Sequence, residues 1–320
     1  PKQPSDGYRP ELDPELNANE VLRILATDVI DSDDRRSPQT YLPTKRFYIP
    51  VDVQKAFQTG WVNPTDTGQV VDRISIQINR NKNYLLKDEL AVLDVIVSNL
   101  NDRPIYFAVT CRAEKMLGLQ DYMQMEGLGL RILPVKTPIN NERRQYGQVY
   151  GAGRVAVNKV YDRVMNKFAW GNFDKMKLYV DRSYGPSIQS LHILMLRTAE
   201  ALARQGDTER AVALCEKYLE AFPDMNFPYD YRTMRLLEVM VVSGAYEKAK
   251  PHLEILADET LEHLRFYNSL SQDDLEAGFA QDFGLAMRTK DDLLAAAKRG
   301  GDKEFEDQLN AMFAEFNIPD

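Results

Sequence analysis

The sequence predicts an α/β layered N-terminal domain followed by an all-α C-terminal domain of helical repeats. Three observations predict it. GDTERAVALCEKYLEAFP, from Gly206 to Pro223, is echoed by GAYEKAKPHLEILADE, from Gly244 to Glu259, with Gly and Ala recurring 38 residues apart. A period of that length marks stacked helical hairpins, each burying an apolar face against its neighbour. Ahead of the echo, short β-branched or aromatic runs alternate with one strong helix, the pattern of an α/β layer. Charge divides at the same point: residues 187–320 carry 14 basic and 25 acidic side chains, residues 1–186 carry 26 and 23.

The 320 residues are enough for two cores. The organisation reads as an extended segment with a short helix over 1–40, an α/β domain over 41–150, a basic helix and connector over 151–187, and helical repeats over 188–320. The opening PKQPSDGYRPELDPE has no apolar stretch of the kind a signal peptide needs, and it reads as a cut made in a linker. No apolar run is long enough to span a bilayer. NANEVLRILATDVI (17–30) offers an Asn cap and a short apolar stripe before DSDDRRSP breaks it.

KRFYIPV (45–51) and DRISIQI (72–78) read as strands. YLLKDELAVLDVIVSNL (84–100) reads as a helix with Leu86, Leu90, Leu93, Val97 and Leu100 on one face. RPIYFAVT (103–110) is the best strand, AEKMLGLQDYMQME (113–126) reads as helix, and LRILPVKT (130–137) as strand. Such an alternation implies partly parallel pairing. NNERRQYGQVYGAG (140–153) is a glycine-bearing loop, RVAVNKVYDRVMNKF (154–168) an amphipathic helix, and 169–187 an aromatic connector. From Ile188 everything is helical, with pairs closing at Gly206 and Gly244. A long pair covers about 258–298, and a last helix follows Gly300-Gly301-Asp302.

The segment 188–223 resembles a tetratricopeptide repeat. Measured from Gly206, the family's small residue of the first helix falls on Ala199, its second-helix alanine on Ala211 and its closing proline on Pro223. The second unit keeps Gly244, Ala249 and Tyr246 but has Leu261 where the proline would stand. A second resemblance runs through LPTKRFYIPVD, DRISIQI, NYLLKDELAVLDVIVSNLNDRPIYFAVT, MQMEGLGLRILPVK and KLYVDRSYGP. This ordered set is similar to the carboxy-terminal halves of bacterial multi-pass membrane proteins related to protein O-mannosyltransferases. The resemblance implies a periplasmic or otherwise extracytoplasmic region, tethered through a membrane-spanning N-terminal half that is not in this sequence. The catalytic acids of a glycosyltransferase using a lipid-linked sugar donor would lie in that half, so the resemblance assigns no catalytic residue here.

Several residue groups suit particular chemistry. Arg143, Arg144, Lys159, Arg163, Lys167 and Trp170 suit a membrane headgroup or anion surface, where cations meet phosphate and a ring sits at the polar boundary. The same residues also suit a solvated helix whose other side packs inward. Asp31-Ser32-Asp33, with Asp28 and Asp34 beside it, has the Asp-x-Asp spacing of some nucleotide-sugar sites, but an acidic turn explains it as well and no metal site is expected. Thr110, Cys111 and Arg112 stand where a strand hands over to a helix, the usual ligand edge of an α/β sheet. Cys111 and Cys215 belong to no CxxC, and His192, His252 and His263 have no metal-ligand spacing. No cofactor is expected. An acidic helical half argues against nucleic acid.

The inner face of the repeats is the expected partner site. Repeat register puts Leu196 and Glu200 of one unit and Tyr231, Met234 and Glu238 of the next in one groove, which suits a basic or amphipathic peptide. The functional expectation is a non-catalytic accessory region of a membrane glycosyltransferase-like protein that binds protein acceptors or partners. The alternatives are a stand-alone enzyme with its site near Thr110-Arg112, and a purely structural repeat adaptor.

Overall fold

The computed structural model describes residues 14–27, 29–30, 39–40, 42–78, 85–137 and 153–316. The chain forms two compact units that divide between Ala156 and Val157. The first mixes helix and strand and the second is helical, as the two sequence patterns predict.

The first unit opens with β1 (Leu16–Asn17) and α1 (Ala18–Thr27), whose start is capped by the Asn17 side chain accepting from the Asn19 amide at 3.0 Å. A short pair, β2 (Val29–Ile30) and β3 (Gln39–Thr40), follows. β4 (Arg46–Pro50) then pairs antiparallel with β5 (Arg73–Gln77), Phe47 opposite Ile76 and Ile49 opposite Ile74. Alternation decides which face is buried, and these four residues are at most 1% exposed. β1 adds to β4 in parallel. Between the strands lies α2 (Val53–Gln58), capped by Asp52.

α3 (Lys87–Asn99) occupies the predicted helix, but Leu86 precedes it and stands 45% exposed. Leu93, Val97 and Leu100 of the predicted face are buried, and Glu89 and Ile96 join them. Glu89 reaches back to accept from the Leu86 amide at 2.8 Å, which accounts for a carboxylate on the inner face.

The second sheet departs from the expectation. β6 is only Tyr106–Ala108, because Pro104 has no N–H to give and the chain turns at Val109. It does not pair with β5. It joins β7 (Met123–Met125), β8 (Gly129–Ile132) and β9 (Arg154–Val155) in the order β6-β8-β7-β9. Among the described residues the parallel pairs are β1–β4, with α1 in the chain between them, and β7–β9. Residues 113–126 are not a helix. Two short 3-10 turns, Ala113–Met116 and Gln120–Tyr122, flank Leu117 at φ 53° and Gly118 at φ 80°. Left-handed backbone at both positions ends any helix there. A Cβ at Gly118 would lie 2.6 Å from the Gln77 carbonyl oxygen, so the chain needs glycine for the approach as well. Trp61 ties the sheets together, donating from its indole Nε1 to the Ile132 carbonyl at 2.9 Å.

The second unit begins with α4 (Val157–Asn166), three residues later than the amphipathic pattern suggests, because Arg154 and Val155 are already strand. A connector leads to α5 (Gly185–Arg204), which turns at Gly206 into α6 (Thr208–Ala221). α7 (Tyr231–Val242) turns at Gly244 into α8 (Tyr246–Asn268). α8 runs through Leu261, where neither proline nor glycine stops it, so no new pair starts near 258. α9 (Gln272–Asp274) passes through a π-helical turn, Leu275–Phe279, into α10 (Ala280–Gly300), and Gly301 turns that into α11 (Lys303–Met312). Gly206, Gly244 and Gly301 adopt φ of 81°, 81° and 72°. This left-handed residue closes each helix at low cost only when it is glycine. α7 packs against both α5 and α10, so the first helices of the three hairpins form one layer.

Candidate functional site

The inner layer carries a groove of about 350 Å³ at the ends of α5 and α7. Glu200, Arg204 and Thr208 line one side, and Arg235, Glu238 and Ser243 line the other. Helical spacing explains the arrangement. Glu200 and Arg204 are four apart, Arg235 and Glu238 three apart, so each helix presents an acid and a base together. The pairs also cross between helices. Arg235 Nη2 lies 3.5 Å from Glu200 Oε1, its Nη1 donates to Glu238 Oε2 at 3.0 Å, and Arg204 stands 3.7 Å from Glu200.

Asp292 of α10 faces the same charges. Burial, joined by the negative charge of Glu238, raises its carboxyl above the usual range, against the pull of Arg288 and Arg235. Val242 is 53% exposed at the edge, and the Ser243 hydroxyl oxygen is buried with no hydrogen-bond partner among the described residues. The groove therefore offers alternating charge, an apolar lip and one unsatisfied hydroxyl. It can hold a polar segment of mixed charge.

Of the five predicted groove residues, Glu200 and Glu238 meet there. Leu196 is half-buried on α5, and Tyr231 is half-buried with the Arg232 guanidinium 5.6 Å from its ring centre. Met234 is 1% exposed and belongs to the core. Arg204, Arg235 and Ser243 were not among the predicted residues. The i,i+4 and i,i+3 spacings were a usable signal for the two arginines.

Lys159 on α4 and Lys167 just after it are exposed, and Arg163 is half-buried. Lys167 lies 2.6 Å from Asp162. Trp170 packs edge-on against Phe168 and Phe222, with ring centres 6.1 and 5.8 Å away, so it anchors the connector to α6. Arg143 and Arg144 lie outside the described residues, as do Asp28, Asp31, Asp33 and Asp34. Thr110 and Arg112 are exposed and Cys111 half-buried in the turn after β6, with Arg112 3.9 Å from Glu114. All three histidines belong to the second unit. Cys215 is fully buried, and that burial pushes its thiol pKa up. Among the described residues no cluster of His, Cys, Asp or Glu could hold a metal ion, and no helix is long and apolar enough to cross a membrane.

The first unit has its own polar network. The Arg154 guanidinium donates to both carboxylate oxygens of Asp66 at 2.6 and 2.7 Å, and from Nε to Gln124 at 2.6 Å. Gln124 donates to Glu126 at 2.8 Å, and the Tyr106 hydroxyl donates to the other Glu126 oxygen at 3.0 Å. Hydrogen bonding from Arg154 is the main reason the Asp66 carboxyl lies below its usual pKa. The network pins β9 to the sheet and continues to Arg131, 3.7 Å from Glu126.

No curated protein and no solved structure matches the chain. Residues 9–150 match the family model described as TMEM260-associated domain 2.

Proposed function

We propose that this chain is a non-catalytic accessory region of a membrane glycosyltransferase-like protein, lying on the extracytoplasmic side and holding a protein acceptor or partner. The helical hairpins act as tetratricopeptide-like repeats, and the groove between α5 and α7 receives the partner. The observation that carries this reading is the groove itself, where Glu200, Arg235 and Glu238 interlock across two helices beside the exposed Val242. Mixed charge around an apolar lip suits a peptide segment better than a small reacting substrate. The match of residues 9–150 to a TMEM260-associated domain supports a link to a membrane protein.

The test is site-directed photocrosslinking in the parent protein in its native membrane, with p-benzoylphenylalanine at Val242. The reading expects one dominant protein adduct, identified by mass spectrometry, that Arg235→Glu greatly reduces. An adduct unaffected by Arg235→Glu, or no intermolecular adduct, sinks it. So does sugar transfer or hydrolysis by the isolated chain with ordinary turnover.

A further inference from the structure

A second cavity lies within the helical unit, apart from the groove. It is a cleft of about 240 Å³ between the start of α5, the end of α6 and the start of α7. Two of its lining side chains are polar and largely buried, with hydroxyls that still reach solvent. Tyr218 is 8% exposed and Thr233 is 6% exposed, yet neither hydroxyl hydrogen-bonds to any described residue. Each hydroxyl is therefore free of any partner among the described residues and met by water, which the hydroxyls of a ligand can replace. The Tyr218 ring is fixed by edge contacts to His192 and by Phe222, with ring centres 5.2 and 5.0 Å away. Gln189 also lines the cleft, and its amide bonds to no described residue.

The charges decide which ligand fits. Asp181, Arg182, Asp230 and Arg232 line the cleft and sum to zero. Both acids are engaged. Asp230 accepts from Arg232 Nε at 2.8 Å and caps α7, and Asp181 accepts from the Ser183 amide at 2.8 Å. His192 donates from Nε2 to the Arg232 carbonyl at 2.8 Å, and burial keeps it neutral. An anion would meet two carboxylates here and a cation two guanidinium groups. Asn226 lines the cleft as well, but it is spent on the connector, accepting from the Leu178 amide and donating to the Phe173 and Met176 carbonyls. What remains is two hydroxyls, one amide, and the apolar walls of Phe222 and Phe227.

We propose that this cleft binds one uncharged, hydroxyl-rich ring, a single sugar unit in size and chemistry. Such a ring alternates hydroxyls, which Tyr218, Thr233 and Gln189 can pair, with C–H faces that pack on aromatic walls. The site is independent of the peptide reading of the groove, and either can fail without the other.

The test uses the full 320-residue chain and ligand-observed saturation-transfer NMR. The probes are methyl α-D-glucopyranoside, methyl α-D-mannopyranoside, methyl β-D-galactopyranoside, the linear trimer of whichever binds, D-glucuronate, and N-acetylserine methylamide. At least one neutral glycoside should saturate at millimolar concentration. Tyr218→Phe and Thr233→Val should each weaken it about 5- to 10-fold, one hydrogen bond's worth. Both variants should keep the thermal midpoint, since neither hydroxyl bonds to any described residue. A trimer binding no better than the monomer assigns a single free ring, and a tighter trimer assigns the end of a sugar chain. Preference for glucuronate, preference for the serine amide, or no saturable binding overturns the proposal. Should Tyr218→Phe unfold the chain, its hydroxyl is a structural donor, and Thr233→Val with Gln189→Leu then decides.

Discussion

Tyr246 and Gly300 fit together so closely that no larger residue than glycine has room beside the ring. A Cβ on Gly300 would lie 2.3 Å from Cδ2 of Tyr246 and 2.5 Å from its Cγ, in the rigid part of the side chain. Tyr246 opens α8 and Gly300 ends α10, so the contact sets how the third hairpin sits on the second. The same corner is held by polar bonds. The Tyr246 hydroxyl donates to Asp302 at 3.0 Å, Lys250 lies 2.7 Å from Asp302, and Asp302 caps α11 through the Phe305 amide at 3.0 Å.

Two effects oppose each other in Gly300→Ala. Helix propensity favours alanine by about 0.5–1 kcal/mol. Overpacking costs about 1–3 kcal/mol, and here the obstruction is a ring that cannot swing aside. Overpacking wins, and the variant should lose about 1–2 kcal/mol in urea unfolding. In the Tyr246→Ala background the same change should be neutral or stabilising. A double-mutant cycle without coupling would show that the ring is not the obstacle.

Asp66 and Arg154 are 5% and 24% exposed respectively, the second as a side chain, and they form a two-point bond across 88 residues of sequence. Removing one partner of a buried pair leaves the other charge uncompensated, so Arg154→Leu should cost about 3 kcal/mol. Replacing both, as Asp66→Leu with Arg154→Leu, should recover much of that. The sign of the pH effect follows from the lowered carboxyl pKa of Asp66. Its contribution is complete above the unfolded carboxylate range and disappears as pH falls through the lower folded value. Arg154→Leu should therefore flatten the acid limb of the stability curve, measured by denaturant midpoints between neutral pH and pH 2.

His192 pulls stability in the same direction over a higher pH range. Desolvation lowers its pKa to about 4 from an ordinary 6.5. Between those values the unfolded chain takes up a proton that the folded chain refuses. Stability should fall as pH drops from about 7 to 4, by on the order of 3 kcal/mol from this residue alone. His192→Gln, whose amide can still donate to the Arg232 carbonyl, should remove that part of the slope. A slope unchanged in the variant would assign the loss to other groups.

The parts of this fold legible in the sequence are those specified by neighbours along the chain. Helix ends at Gly206, Gly244 and Gly301 are one-residue events, and the alternation of Phe47 with Ile49 and of Ile74 with Ile76 is local. The false helix at 113–126 has a physical reason. Met116, Leu117, Leu119, Tyr122, Met123 and Met125 are all buried, so the apolar pattern has no polar face to reveal its period. Glu200 and Glu238 were legible as groove residues from repeat register. Arg235 bridging them depends on how two helices pack, which no spacing within one helix records. The same holds for Tyr218 and Thr233, which line one cleft only once three helix ends meet.

The Asn226 side chain makes a prediction about order in the connector. It is 8% exposed and makes three bonds of 2.6 to 2.8 Å to the backbone of residues 173–178. Phe173 packs edge-on against Phe227, ring centres 5.0 Å apart, and reinforces the attachment. Lys175 and Lys177 are exposed within the held segment, so trypsin reaches them only if the backbone can leave the surface. Asn226→Leu removes all three bonds while keeping much of the volume, and deprives the Phe173 and Met176 carbonyls of this donor. Tryptic cleavage at Lys175 and Lys177 should accelerate at least about tenfold, the effect of a 1.4 kcal/mol loss in local opening energy. Cleavage in the α10–α11 turn should not change. Equal acceleration at both places would mean that Asn226 supports the whole helical unit and not the connector.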